Sequence, residues 1–476
     1  MKKQSSIAVI NLVVILLAVS ISSSGCGCLR QVCQPYGPRV TGDCTGDAIA
    51  VYEDIKSGNQ HDFYIQKISS EGEALWGEEG VLIGSAYKQC DSFHELHIVS
   101  DSSGGAVMTW SGYPSEPDWK QPPGQRPIEY LTHVTKVDSN GNAVWQREVR
   151  GVDHMISDGT GGAIIATDYS YDEETLFIIK IDSDGNFSWG EDGVHTRCEG
   201  YSDHTLGLVS DDNGGAIFIW QERKGEPSDR VSQIFAQKID TDGNLPWGQG
   251  SVLLYTTPEG GFSEEPKVVS DGSGGAIAVW MQVPEGRIEE GSPRTLLNDI
   301  YAQRVDTGGK VLWTPNGVPL KAYEGGDFPH NPLVASDDAG GAIIFLWGGY
   351  AQKIGAGGNL EWQPGGVEVI TSSLPSNAIS DGSGGVIVIF EHKESGSEKS
   401  MLYVQKIDAT GVTVWPDTGT LVTEQGTHDI AYDGQGGVII AWGSGKSMFS
   451  SEKSYVQRVN AEGKLLWGEK GVRLNP

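Results

Sequence analysis

Five histidines fall just ahead of short apolar runs: His94, His154, His204, His330 and His428. Asp203 adjoins one of these histidines, and Glu264 and Glu265 stand ahead of the equivalent run in another copy. Imidazole with carboxylate is a ligand set that suits several transition metals, so a metal site or small-molecule sensor is one chemistry to weigh. Unrelated polar loop residues facing solvent are the plainer reading of the same set. A second candidate is the segment running from Tyr113 to Trp119 between prolines, where exposed aromatics would anchor a protein or stack on a sugar. The strings Asp182-Ser-Asp184-Gly-Asn186 and Asp240-Thr-Asp242-Gly-Asn244 hint at calcium. An EF-hand loop needs another oxygen ligand before its glycine and a distant Glu, and neither is present. In equivalent strings the glycine persists while the carboxylates come and go, as in Gly355-Ala-Gly and Asn460-Ala-Glu, so a tight turn explains them better.

The elements that would hold these residues repeat. A glycine stands four residues before a tryptophan eight times: Gly72/Trp76, Gly141/Trp145, Gly185/Trp189, Gly243/Trp247, Gly309/Trp313, Gly358/Trp362, Gly411/Trp415 and Gly463/Trp467. Upstream of each lies a turn that opens on an Asp, at positions 43, 101, 158, 211, 271, 337, 381 and 433, and leads into an apolar run. A period of roughly 55 residues with this punctuation marks stacked or radial repeats whose units bury their faces against each other. In the fifth copy, Pro266–Ser270, Ala276–Trp280, Ile300–Val305 and Lys310–Leu320 read as four antiparallel strands, and two glycine turns set their register. Four strands per unit exclude a β-helix, which has shorter coils, and separate sandwiches, which have more strands. The prediction is an all-β, eight-bladed β-propeller with blades near 36–90, 91–151, 152–199, 200–258, 259–323, 324–373, 374–425 and 426–476. The tryptophans are expected to pack between blades. A second aromatic set, Tyr52, Trp110, Trp220, Trp280, Phe390 and Trp442, is expected to pack as well, with Thr167 and Leu346 in the copies that lack it.

The Ala-Gln-Lys-Ile-Asp-x-x-Gly-x-x-x-Trp strings resemble the repeats of eight-bladed quinoprotein-like propellers. That group includes pyrroloquinoline-quinone dehydrogenases and BamB-type envelope lipoproteins. The strings look still more like those of secreted bacterial and archaeal propeller-repeat lipoproteins. The likeness covers nearly all of residues 36–476 and implies fold rather than activity. The turn Asp240-Thr-Asp-Gly243 is one residue shorter than that family's usual form. The quinone enzymes would imply a paired-cysteine ring contact; the chain has no adjacent Cys-Cys pair, so no catalytic residue is carried over and no cofactor is implied.

In a propeller the first and third turns of every blade share one face, and here both are short in every copy. The opposite face carries the second-to-third strand connections and the links between blades. Its segments vary, with residues 111–129, 221–233 and 281–299 long and 348–349 minimal. Binding function concentrates in such loops, so Tyr113, Trp119, His94, His204, His330 and His428 are the candidate binding residues.

The net charge of −29, from 34 basic and 63 acidic residues, argues against nucleic-acid partners and fits a solvated, soluble surface. Met1-Lys-Lys, the apolar stretch from Ile7 to Ile21 and Ser22-Ser-Ser-Gly25 form a leader over residues 1–25. Cys26 is the expected lipidated residue, although Ser23 stands where a lipobox usually has Leu; simple secretion and a retained anchor are the alternatives. Residues 26–35 form a linker. No later segment is apolar enough to span a bilayer. Cys33 and Cys44 bracket the start of the first blade and are a possible disulfide. The sequence therefore leads to an exported, membrane-anchored monomer. It would bind envelope or extracellular proteins or glycans through its variable face. A glycan hydrolase or lyase at the channel mouth is the alternative, together with the sensor.

Overall fold

The computed structural model describes residues 37–475, apart from 58, 88–95, 117–130, 171–174, 198–205, 226–230, 249, 259–261, 284–298, 321–331, 347–348, 370–373, 394–399, 417, 425 and 445–452. The chain folds into eight four-stranded antiparallel sheets, each built from four consecutive strands in sequence order. Blade 5 is representative, with strands Phe262–Ser270, Ala276–Val283, Asp299–Val305 and Val318–Leu320. The first strands touch their neighbours in succession, and the first strand of the last blade, Thr427–Tyr432, touches that of the first, Arg39–Gly42. The ring is thus a closed eight-bladed β-propeller, and its innermost strands circle the axis.

Local chemistry explains each turn. In blade 5 the Asp271 carboxylate accepts the backbone N–H groups of Ser273 and Gly275 at 2.8 and 2.7 Å, closing the first hairpin. In the third turn Asp306 accepts those of Gly308 and Lys310, both at 2.9 Å. The strings that hinted at calcium do the same. Asp182 Oδ1 accepts from Asp184 and Asn186, and Asp240 Oδ1 from Asp242 and Asn244. These carboxylates are occupied as turn acceptors.

The hydrophobic cores lie between blades rather than within them. Ile277, Val279, Ala302 and Trp313 of blade 5, for example, pack against Val334, Ile344 and Ile354 of blade 6. Every tryptophan of the repeat donates its indole N–H to the third turn of the following blade, at 2.9–3.2 Å: Trp76 to Ser139, Trp145 to Ser183, and so on to Trp415 to Ala461. Trp467 of the last blade reaches Ser70 of the first at 3.0 Å, so the ring closes through the same bond that joins every other pair. The repeated glycine is the seat for this ring. A Cβ on Gly141 would lie 2.9 Å from Trp76, and one on Gly72 would lie 2.7 Å from Trp467. The spacing within a repeat therefore records a contact between repeats.

The second aromatic set also packs, as expected. Tyr52 stacks on Tyr64, Trp110 on His133, Trp220 on Phe235, Trp280 on Tyr301, Phe390 on Tyr403 and Trp442 on Tyr455. Each pair is a direct cross-strand partner between the second and third strands of one blade, the geometry in which ring pairs stabilise a sheet.

Candidate functional site at the axial end of the variable face

Among the described residues the short-turn face repeats one set of ties in every blade. On the short-turn face, each blade's first-turn Asp pairs with the Lys or Arg that precedes the last residue of its third strand. These pairs are Lys67–Asp43, Lys136–Asp101, Lys180–Asp158, Lys238–Asp211, Arg304–Asp271, Lys353–Asp337, Lys406–Asp381 and Arg458–Asp433, at 2.8–3.9 Å. Buried charges need such pairing, and here the cation also reaches across the seam. Lys136 donates to Gly161 O at 2.9 Å, Lys180 to Gly214 O at 2.7 Å and Lys406 to Gly436 O at 2.9 Å, each in the following blade. Sequence reasoning did not single out these cations. The signal was a basic residue just before the last, apolar residue of all eight third strands, matched by an Asp at one position of all eight turns.

The opposite face is where the first strands begin. One register position, four residues before each turn Asp, reads Arg39, His97, His154, Gly207, Lys267, Leu333, Asn377 and Asp429. Two of the eight, Arg39 and Lys267, carry a fixed positive charge, two are histidines and one is the acid Asp429. Arg39 donates through Nε to Leu96 O at 3.2 Å, across the seam to blade 2. Asp429 accepts the Val40 backbone N–H at 3.0 Å across the seam from blade 8 to blade 1. Burial pushes the Asp429 carboxyl above its ordinary range, and Arg39, the Val40 N–H and His428 draw it back only in part.

Of the six candidate binding residues, two lie among the described residues. His428 faces the seam between blades 7 and 8, where its Nε2 is 2.7 Å from Ser376 Oγ and its Nδ1 is 3.0 Å from Gly426 O. Tyr113 is not an exposed loop aromatic. It is 4% exposed and forms a β-bridge with Tyr87, exchanging both backbone hydrogen bonds at 2.8 Å. The bridge carries the chain past the end of the second strand before the loop departs, which is why a proline-rich context misplaced it. Trp119, His94, His204 and His330 lie outside the described residues, as do Cys26 and Cys33. His154 is exposed at the start of its first strand and pairs with Ala166. Cys44 is exposed and has no disulfide partner among the described residues. Among the described residues no group of three or more His, Cys, Asp or Glu is placed to hold a metal ion, and no helix is long and apolar enough to cross a membrane.

No family model matches the chain, and no curated protein matches it in sequence. Solved structures similar to it include BamB from Moraxella catarrhalis, at 10% identity over 89% of this chain and 94% of that one, with a TM-score of 0.38. They also include the hydrazine synthase of Kuenenia stuttgartiensis, at 11% identity over 82% and 100% of the two chains, with a TM-score of 0.41. A third is a quinonprotein alcohol dehydrogenase-like protein from Bacteroides thetaiotaomicron, at 10% identity over 81% and 88%, with a TM-score of 0.33.

Proposed function

We propose that this eight-bladed propeller is a binding scaffold that engages envelope or extracellular proteins or glycans through its variable face. The observation that carries this reading is the asymmetry of the two faces. One is tied by the same turn bonds, ion pairs and indole bonds in every repeat, which leaves little to distinguish one blade from another. The other holds the connections whose lengths differ between blades, from residues 113–130 in blade 2 to 346–349 in blade 6. Rigid scaffolds place recognition in such connections. We further propose that the chain is exported, that residues 1–25 form its leader and that Cys26 carries a lipid anchor. A Cys33–Cys44 disulfide would tie the linker to the first turn, where Cys44 is exposed. The molecule is proposed to act as a monomer, with Trp119, His94, His204, His330 and His428 among the contact residues.

The test is recovery of partners from envelope extracts by three forms of the chain. One is intact. One has residues 117–128 replaced by a short Gly-Ser linker, which spares the Tyr113 bridge and the Ser111–Thr132 hydroxyl bond. One carries charge reversals at the exposed turn residues Glu71 and Asp242. Loss of a partner with the loop exchange alone supports the reading. Loss with the turn-face reversals alone, or identical recovery by all three, refutes it.

A further inference from the structure

We propose that Ser376 and His428 form a nucleophile–base pair that cleaves a carboxylic ester at the axial rim between blades 7 and 8, an activity separate from the binding role. The first strand of blade 7, Leu374–Ser380, carries a bulge: Pro375 pairs with Phe390 and Asn377 with Ile389, so Ser376 has no partner in the ladder. Proline cannot donate to a ladder, and a bulge of this kind re-aims a side chain. Ser376 is exposed, and its hydroxyl crosses the seam to His428 Nε2 at 2.7 Å.

The hydrogen bonds fix which way the proton lies. His428 Nδ1 stands 3.0 Å from Gly426 O, and a carbonyl can only accept, so Nδ1 carries hydrogen. In the neutral ring Nε2 is then the lone pair, and the serine hydroxyl donates to it. That is the protonation pattern a general base needs beside a hydroxyl nucleophile, with the second ring nitrogen held by an acceptor. When His428 gains a proton, Ser376 can turn its hydrogen to Ile389 O, 3.2 Å away, so both states of the ring are satisfied. The seam does not depend on this contact for its strength. Trp415 already bonds to Ala461 O and Lys406 to Gly436 O across it.

In the proposed step the Ser376 oxygen attacks the ester carbonyl carbon as its proton moves to His428 Nε2. The carbon–oxygen bond to the alcohol then breaks, and Nε2 returns the proton to the departing alkoxide. Water, deprotonated by the same nitrogen, attacks the acyl-serine and releases the carboxylic acid and the free hydroxyl. No oxidant or reductant enters.

The test is labelling of the full chain with a fluorophosphonate probe, mapping of the modified peptide by mass spectrometry, and hydrolysis of p-nitrophenyl acetate. Covalent label on Ser376 that is absent from Ser376→Ala is the expected result. His428→Gln is expected to slow both labelling and hydrolysis by about 10²-fold or more, the usual contribution of a general base. Ser100→Ala, in a different blade, is expected to behave as the unsubstituted chain. No label on Ser376 in the unsubstituted protein overturns the proposal without recourse to any variant. So does a His428→Gln protein that labels at the original rate.

Discussion

Substituting Gly309 by alanine isolates the seating of one tryptophan. Gly309 has φ +81°, and an added Cβ would lie 2.8–3.0 Å from ring carbons of Trp247. Two costs follow. Holding alanine in the left-handed region takes about 1 kcal/mol. Displacing the indole stretches its 2.9 Å bond to Thr307 O, worth about 1 kcal/mol, and loosens a partly buried ring whose burial contributes about 3–4 kcal/mol. Forfeiting a quarter to a half of those contacts adds about 1–2 kcal/mol, so the total is about 3–4 kcal/mol. Gly190 supplies the reference, since its φ is +84° and a Cβ there would meet nothing within 4 Å. Gly190→Ala should therefore cost only the backbone share, about 1 kcal/mol. The assay is urea unfolding followed by far-ultraviolet circular dichroism, repeated for both substitutions in a Trp247→Ala background. There Gly309→Ala should fall to the cost of Gly190→Ala, because the ring it collides with is gone. Equal costs for the two glycines in the unsubstituted protein, or an unchanged Gly309→Ala cost after Trp247 is removed, would refute the seating argument.

Three other outcomes follow from the charged groups. Arg304→Met strands the buried Asp271 carboxylate and should cost about 3–5 kcal/mol in urea unfolding, while Arg304→Lys recovers much of it, since lysine fills the same slot in six blades. Burial alone would raise Asp240, Asp182 and Asp408, but N–H and hydroxyl donors of their own turns bring all three below the ordinary 3.8. Asp138 is lowered chiefly by the Asn142 side chain. For a depressed carboxylate the stabilisation is present above 3.8 and is lost as pH falls through the folded value. Urea midpoints should therefore drop below about pH 4, and Asp240→Asn should flatten part of that fall. Asp429 has the opposite sign, because burial raises it: its folded state is favoured at low pH, and that advantage is lost as pH rises through the folded value. Asp429→Asn keeps an acceptor for the Val40 N–H, so it should be as stable as or more stable than the unsubstituted protein at pH 7–8. A marked loss there would show that attraction to Arg39 outweighs burial.

The architecture was legible because each repeat states its turns in its own residues. Asp271 with Gly275 and Asp306 with Gly309 are local bonds, and local bonds leave a local pattern. What the pattern could not convey is direction. Gly141 and Trp145 are four residues apart, yet Gly141 seats Trp76 of the preceding blade, and spacing within a repeat carries no trace of which neighbour is served. The ion pairs join a turn and a strand 16 to 35 residues apart, but each partner holds one fixed position in its own element, so a search for a basic residue recurring beside the last residue of every third strand would have found them. Ser376 is a different case. A bulge is a relation between two strands, and only Pro375 beside it marked that the ladder was interrupted. His428 was noticed for its residue type, but its partner sits in another blade, 52 residues earlier.

Closure without an exchanged strand has a consequence for where variation can be tolerated. The last blade is complete in sequence order, so the final seam has no backbone ladder across it and rests on side chains. Its members are Trp467 bonded to Ser70, Val40 bonded to Asp429, Gln435 bonded to Thr45 at 2.8 Å, and a core in which Ile439 and Ala441 meet Ala48 and Ala50. Three of those contacts lie on the short-turn face or in the core, and one lies at the axial end of the variable face. The seam between blades 7 and 8 divides the same way, with Trp415 and Lys406 on the tied side and Ser376 with His428 at the axial end. Because the tied side and the core already join each pair of blades, the axial ends of the first strands are free to differ from blade to blade. That freedom lets one register position hold arginine, histidine, lysine, leucine, asparagine and aspartate in a single ring without opening it.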